Sequence, residues 1–429
     1  MFTSSLRRVS TLSLTAVVTA SAAAILGSAS ASAAPCDTYS PGLVDRASAL
    51  LSSGSGSLGS SGNSGSSGSS GTSGSLTSWA GDTPWDLPNL RGATEAMYMV
   101  TGPNSPDRTS DLGLASTDLG FMWDAGDGRT LIAFGDSFGC AASGDGWHSN
   151  ALFTSSDKDP SDGLVIDGTA NGERSGEFLP TSLKHPGIEH TKIPTSGIEV
   201  DGRQYVDFMS VRSWGSAGQW TTNYAQTVVS DDGGTTFTPV EDSTRVSGNA
   251  SSNSRITDVT AGHRPVDTFQ MTALTKHTED GTDYVYAYGT PSGRDGSARL
   301  ARIAQDAFPD WSAAEYWNGT GWSTNSASAV KVLDGRVSEL SVQYNEHRGT
   351  WLAMYESTEG IVLRESDTPQ GPWSRKHTVV SRLQVPDAYG AFMLPMQAPA
   401  DPSRLYFVMT TWSGYNTAML RTDVDALLG

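Results

Sequence analysis

The chain is short of cysteine, of basic side chains and of long apolar runs, and each shortage excludes something. Two cysteines among 429 residues, Cys36 and Cys140, cannot build a disulfide scaffold or a Cys-rich metal cluster. In an exported protein a lone pair is expected to be bridged, which would tie the N-terminal peptide to the folded domain. Lys and Arg total 28 against 46 Asp and Glu, a formal net charge of −18. So acidic a surface repels polyanions: nucleic acid is not an expected partner, and a neutral or cationic ligand is. No run approaches the roughly 20 apolar residues that span a bilayer, which argues against stable membrane insertion. A P-loop, a dinucleotide fingerprint, a G-x-S-x-G elbow and a metal-type Cys/His cluster are also missing. His185 and His190 in HPGIEH are too sparse a signal for a metal. Neither metal nor cofactor is expected, and the chain is expected to be a monomer.

What is present begins with a leader. MFTSSLRRVSTLSLTAVVTASAAAILGSASASAAP sets Arg7 and Arg8 before a mild apolar core and an Ala31-Ser32-Ala33 site, the layout of a secretory signal. Residues 1–34 are therefore expected to be removed and the protein to be secreted or held in the cell envelope. Without Arg7 and Arg8 the count is 28 − 2 = 26 basic against 46 acidic side chains, or −20. After a short N-terminal segment, 35–51, residues 52–76 are nearly all Ser and Gly, a flexible tether that can bury no core. Function falls to residues 77–429, a stretch of 429 − 76 = 353 residues.

That stretch is built of short runs such as RTLIAFGD, RQYVDFMSV, TDYVYAYGT, GTWLAMYES, GIVLRES and RLYFVMTTW. Each has the length and the β-branched and aromatic content of a strand, and no helical period persists. The domain is all-β. A single sandwich rarely absorbs so many residues, whereas a propeller of about 4–8 four-stranded blades does, and five blades of about 70 residues fit. Two turns agree. Ser230-Asp231-Asp232-Gly233-Gly234-Thr235-Thr236-Phe237 has the S-x-D-x-G-x-T-[WF] form of an Asp-box, in which Asp232 staples a hairpin corner. Ser366 to Trp373, with its Gly371-Pro372-Trp373, looks like a blade-closing turn.

Residues 118–139, DLGFMWDAGDGRTLIAFGDSFG, carry the chemistry. Two apolar runs flank Gly126-Asp127-Gly128, a common three-residue hairpin loop. Centring the hairpin on Asp127 sets Asp118 opposite Asp136, where Cβ atoms lie about 4.5–5.5 Å apart on one face. Paired carboxyls repel, which raises one pKa, and a protonated acid beside an ionised one is what glycoside hydrolysis requires. Asp beside Gly is also ordinary turn chemistry, and a bulge would shift this register. Glu339, inside the strand RVSELSV, is a possible third acid, or it pairs with an arginine such as Arg336 or Arg364.

Sugars are gripped by aromatic faces edged with amide, Arg and His hydrogen-bonding groups. Such residues cluster in Gly-rich loops: Trp147, His148 and Asn150 in GWHSN; Arg212, Trp214, Gln219, Trp220 and Asn223 in SVRSWGSAGQWTTNY; Trp412, Tyr415 and Asn416 in TWSGYN.

With these segments in view, together with FQMTALTKHTEDGTDYVYAYGTPSGRDGSARLARI and SELSVQYNEHRGTWLAMYES, most of residues 100–425 resembles a family catalogued as a domain of unknown function. That family is now grouped as glycoside hydrolase family 183, the endo-D-arabinanases. The resemblance implies a five-bladed propeller that cuts the D-arabinan of arabinogalactan and lipoarabinomannan, a cell-wall polysaccharide, inside the chain, with Asp118 and Asp136 as the catalytic carboxyls. His148 departs from the pattern, since an arginine is expected there. Two other readings keep parts of this picture: a propeller glycosidase acting on another furanoside or a sialoside, and a non-catalytic propeller that binds cell-wall carbohydrate.

Overall fold

The computed structural model describes residues 87–102, 105–139, 146–398, 400–412 and 414–429. The expected leader, N-terminal segment and Ser/Gly tether lie outside these residues, as do Cys36 and Cys140.

Five antiparallel sheets surround a central channel, giving a five-bladed β-propeller. Blade 1 runs outward through Leu119–Asp124, Thr130–Phe134, Ala151–Ser155 and Gly168–Thr169. Blade 2 uses Thr191–Val200, Arg203–Trp214, Trp220–Ser230 and Thr238–Val246. Blade 3 starts from Met271–Glu279, Thr282–Thr290 and Ala298–Ala304 and ends in short outer strands. Blade 4 comprises Ser338–Asn345, Thr350–Ser357, Gly360–Ser366 and His377–Ser381. Blade 5 takes Ala388–Met393, Arg404–Thr411 and Thr417–Asp423 from the end of the chain and Thr94–Met99 from its beginning. Thr94 pairs with Thr422 there, so the first strand closes the ring.

The apolar runs are explained by stacking. Each blade face lies against the next blade, and the apolar clusters sit in these seams. A strand covered on both faces reads as continuously apolar, and Thr130–Phe134 is buried at every position. Some polar groups inside the seams pair across blades. Asp207 of blade 2 meets the Arg245 guanidinium at 2.8 Å and accepts the Thr272 hydroxyl of blade 3 at 2.6 Å. Asp232 staples its corner as the motif requires, accepting the amides of Thr235 at 3.1 Å and Thr236 at 2.9 Å. Trp373 of the blade-closing turn is buried against Tyr288 of blade 3.

First strands all run away from one face of the disc, so their starting residues ring one mouth of the channel. Four of the five inner strands lose register near that end, between Leu119 and Phe121, Pro194 and Ser196, Ser338 and Ser341, and Tyr389 and Ala391. Leu119, Glu339 and Gly390 have φ of 69°, 46° and 52°. The left-handed region costs a non-glycine residue about 1–2 kcal/mol, and bulges of this kind re-aim the side chains beside them.

Candidate active site

The mouth collects Asp118, Glu339 and Tyr389 from three inner-strand starts, with Asp136 and Thr191 beside them. Asp118 does not stand opposite Asp136. The bulge at Gly120 takes up one residue, so Leu119 pairs with Phe134, and Gly135 donates its amide to the Asp118 carbonyl at 2.9 Å. The Asp118 carboxyl lies over Gly135, where a Cβ would sit 2.7 Å from Oδ2. Asp136 follows directly, so the aspartates remain neighbours, offset by one position.

Both aspartates are half-buried at the base of the mouth. Burial pushes Asp118 up to about 7; the nearby charges of Asp136 and Glu339 add to this, while the Tyr389 hydroxyl and Arg294 oppose it. Asp136 is also pushed up to about 7, chiefly by burial, against hydrogen bonds from Thr191 and Trp147 and the charge of Lys184. The Tyr389 hydroxyl donates to Asp118 Oδ1 at 2.5 Å. Asp136 Oδ1 accepts the Trp147 indole N–H and the Thr191 hydroxyl, both at 2.8 Å.

An aromatic wall encloses them. Tyr389 stacks on Trp412 at 4.3 Å and 16°, and Trp412 continues through Tyr415 to Phe138. On the other side Trp147 meets His190 at 5.3 Å, His190 meets Trp214 at 6.4 Å, and Trp214 meets Trp220 at 5.6 Å. The Arg294 guanidinium joins the arms, 5.0 Å from the Tyr389 and Trp412 rings and 5.5 Å from Trp220. Phe138 and Trp147 are cross-strand partners, which closes the circuit. Lys184 lies 4.8 Å over the Trp147 ring.

Trp147, Trp214, Trp412 and Tyr415 keep partly exposed rings along this wall, whereas Trp220 is buried in the core behind Trp214. The three asparagines do not reach the mouth, which corrects the expectation from sequence. Each is buried, and each spends its amide on its own framework. Asn150 accepts the amides of Phe178 and Leu179; Asn223 donates to the Ile188 carbonyl and accepts from Ser251; Asn416 accepts from Thr101 and donates to Gly414. Arg212 is likewise engaged with the carbonyls of Gly187 and Asn249. Gln219 is exposed and bonds Asp295, while His148 faces Glu177 at 3.7 Å. Burial raises Glu177, but the His148 hydrogen bond and the Lys184 charge outweigh it, and the net shift is downward.

Glu339 is paired with neither Arg336 nor Arg364. Its partner is Arg294, which crosses from blade 3 and binds it bidentately, Nη2 to Oε1 at 2.5 Å and Nε to Oε2 at 3.2 Å. Arg336 binds Glu356 instead, and Arg364 caps backbone carbonyls of the turn ending at Ser374. Sequence reasoning missed Arg294, Tyr389, Thr191 and Lys184, and weighed His190 only as a weak metal signal. Four of these sit in loops or at strand starts whose place at the mouth depends on blade order. Tyr389, in DAYG at the head of the fifth inner strand, was the most findable, since it directly precedes the bulged Gly390 as Leu119 precedes Gly120 in the first.

The other end of the channel is lined by the far halves of the inner strands, including Trp123, Glu199, Lys276, Gln343 and Phe392. Its acids are satisfied: Glu199 meets Lys276 at 2.8 Å, and Asp124 caps the Gly126 amide. Among the described residues, no group of three or more His, Cys, Asp or Glu is placed to hold a metal ion.

Residues 104–421 match the domain of unknown function DUF4185. The chain belongs to the DUF4185 family. It is 28% identical over 344 residues to notoamide biosynthesis cluster protein J of Aspergillus sp. (strain MF297-2), covering 73% of this chain and 84% of that relative. Among solved structures, the alpha-L-arabinofuranosidase of Podospora anserina in complex with cellotriose covers 77% of the DUF4185 chain and 96% of its own, at 11% identity and a TM-score of 0.42. The GH43_1 enzyme from Xanthomonas citri complexed with xylose does so at 77% and 89%, 12% identity and a TM-score of 0.42.

Proposed function

We propose that this DUF4185 protein is a secreted, endo-acting glycoside hydrolase that cleaves α-linked D-arabinofuranosyl chains such as the D-arabinan of arabinogalactan and lipoarabinomannan. One observation carries the reaction class: two neighbouring aspartates, both held near neutrality, lie at the base of an aromatic-walled mouth. The substrate rests on the resemblance to the endo-D-arabinanases of glycoside hydrolase family 183. An acidic surface suits a neutral polysaccharide better than an anionic one.

In this reaction the protonated carboxyl of the pair delivers its proton to the glycosidic oxygen as the bond to the anomeric carbon breaks. The ionised carboxyl attacks that carbon or takes a proton from the water that does so. The aromatic arms hold sugars on either side of the scissile bond, as an enzyme cutting within a chain requires. A propeller that only bound wall carbohydrate would need the aromatics, but would gain nothing from two carboxyls kept near neutrality by burial.

The test is chromatographic analysis of products from D-arabinan-containing arabinogalactan, with Asp118→Asn and Asp136→Asn alongside the parent. Oligosaccharides from the parent and at least about a hundredfold loss in each variant are expected. Full activity in either variant removes that aspartate from the mechanism. Arabinan binding without product indicates a binding propeller, and product only from L-arabinan, levan or sialosides indicates a different glycosidase.

A further inference from the structure

Beyond the two aspartates, the mouth holds a charged group with no assigned task. Arg294 is buried, and its guanidinium is clasped by Glu339 and lies 3.4 Å from Glu356. Glu356 is buried in turn between Arg294, Arg336 and Arg382. Bidentate carboxylate pairs fix a guanidinium in orientation as well as in place. Leaving one partner of such a buried pair alone is expensive, so the unit is stiff.

What Arg294 touches next is aromatic. Its charge sits 5.0 Å from the centre of the Tyr389 ring, which is itself stacked on Trp412. Tyr389 is buried and has one polar atom, and that hydroxyl donates to Asp118. Burial keeps the phenol protonated, so it remains a donor. A continuous path of contacts thus runs from Glu339 through Arg294 and Tyr389 to one oxygen of Asp118.

We propose that Tyr389 and the Arg294–Glu339 pair form a positioning unit for Asp118, in which Tyr389 pins Oδ1 and Arg294 holds the Tyr389 ring. Glu339 then acts through Arg294 and is not a third acid at the reacting bond. Its carboxylate is spent on Arg294 and on the Ser338 hydroxyl. The strained backbone at Glu339 is explained by the same role, because the positive φ helps turn this side chain toward a residue of the neighbouring blade. The unit rests on the reading of Asp118 as a catalytic carboxyl.

The charged and titratable groups facing Asp118 are Tyr389, Asp136, Glu339 and Arg294, and they give the test a sign. Tyr389→Phe removes a hydrogen bond that favours ionised Asp118, so the limb of the kcat/KM pH profile that reports Asp118 moves to higher pH. Glu339→Gln removes a negative neighbour and leaves Arg294 less compensated, so the same limb moves to lower pH. Each displacement should be about half a pH unit or more, with kcat reduced about 10-fold or more in Tyr389→Phe and KM little changed. Residues that merely support the fold would lower activity with both limbs in place.

A limb at higher pH in Tyr389→Phe, together with a kcat loss in Glu339→Gln that the Tyr389→Phe background no longer shows, establishes the unit. An unmoved limb in Tyr389→Phe, or losses that simply add in the double variant, overturn it. Should Tyr389→Phe fail to fold, Glu339→Gln decides alone: parental kcat overturns the unit. Asp118→Asn run in parallel separates the two failures: if that variant keeps full activity, the assignment of Asp118 is wrong, and with it the unit.

Discussion

Two kinds of aspartate in this propeller sit at opposite extremes. Asp232, exposed on a hairpin corner, is drawn down to about 2 by hydrogen bonds from the Thr236 amide and hydroxyl, the Ser230 hydroxyl and the Thr235 amide. Asp118 and Asp136, at the channel mouth, are pushed up to about 7 by burial. The corner presents its acid with donors and gains stability from the charge. The mouth gives its acids fewer donors, adds the charge of neighbouring acids, and loses stability when they ionise. A carboxyl that costs the fold something and is nevertheless kept in a cleft is a candidate for chemistry. The Asp-box spacing marks Asp232 as a corner staple in the sequence, whereas no comparable motif marks Asp118 and Asp136.

The largest expected break in that contrast, beyond the aspartates themselves, is Gly135→Ala. The new methyl would fall 2.7 Å from Asp118 Oδ2 and 3.3 Å from Ile193. Asp118 cannot swing aside without leaving the Tyr389 hydroxyl. A reacting group displaced by about 1 Å costs on the order of a hundredfold in rate, so kcat should fall by about that factor in a variant that still melts cooperatively. Parental kcat would mean that the carboxyl is free to move and that its placement over Gly135 is unimportant.

Trp214 has a smaller effect, on binding. It ends one of the two longest strands, pairs across the hairpin with Trp220, and is 37% exposed beside His190. Trp214→Ala should raise KM on arabinan about tenfold, equivalent to about 1.4 kcal/mol, while kcat falls less than about threefold. Trp214→Phe should recover most of the loss. An unchanged KM in the alanine variant would take this arm of the wall out of substrate binding.

Much of the fold was legible because it follows from local rules. Short strands with turn residues between them, the Asp-box and the size of the domain pointed to five blades, and five blades are found. The pairing of the aspartates was legible only as proximity. A bulge at Gly120 depends on how the first and fifth blades meet, and no symmetric count from the turn could include it. Of the aromatic residues singled out, Trp147, Trp214, Trp412 and Tyr415 keep partly exposed rings, whereas Trp220 enters the core. The asparagines misled, because an amide that satisfies loop backbone looks the same in sequence as one that waits for a sugar. Arg294 was invisible: its meaning lies in Glu339, 45 positions later and one blade away.

The smallest effect is also the one that tests the contrast most directly, since the two kinds of aspartate must respond to pH with opposite signs. In the unfolded chain each titrates near 4, as free Asp does. Asp118 and Asp136 have folded values above that, so their contribution to stability is intact below about pH 4 and is lost as pH rises through about 7. Asp232 has a folded value below it, so its contribution is present above about pH 4 and is lost as pH falls through about 2. Asp136→Asn should therefore raise Tm at pH 7.5 by roughly 2–5 °C, a size usual for relieving a functional site, and the gain should disappear at pH 4.5. Asp232→Ala should lower Tm by roughly 1–3 °C at pH 7.5, the loss of about one hydrogen-bonded corner, with a smaller deficit at pH 2.5. Thermal melts of the three proteins across pH 2.5–7.5 check both. If Asp136→Asn melts below the parent at pH 7.5, its carboxylate is compensated after all, and the mouth is no different in kind from the corner.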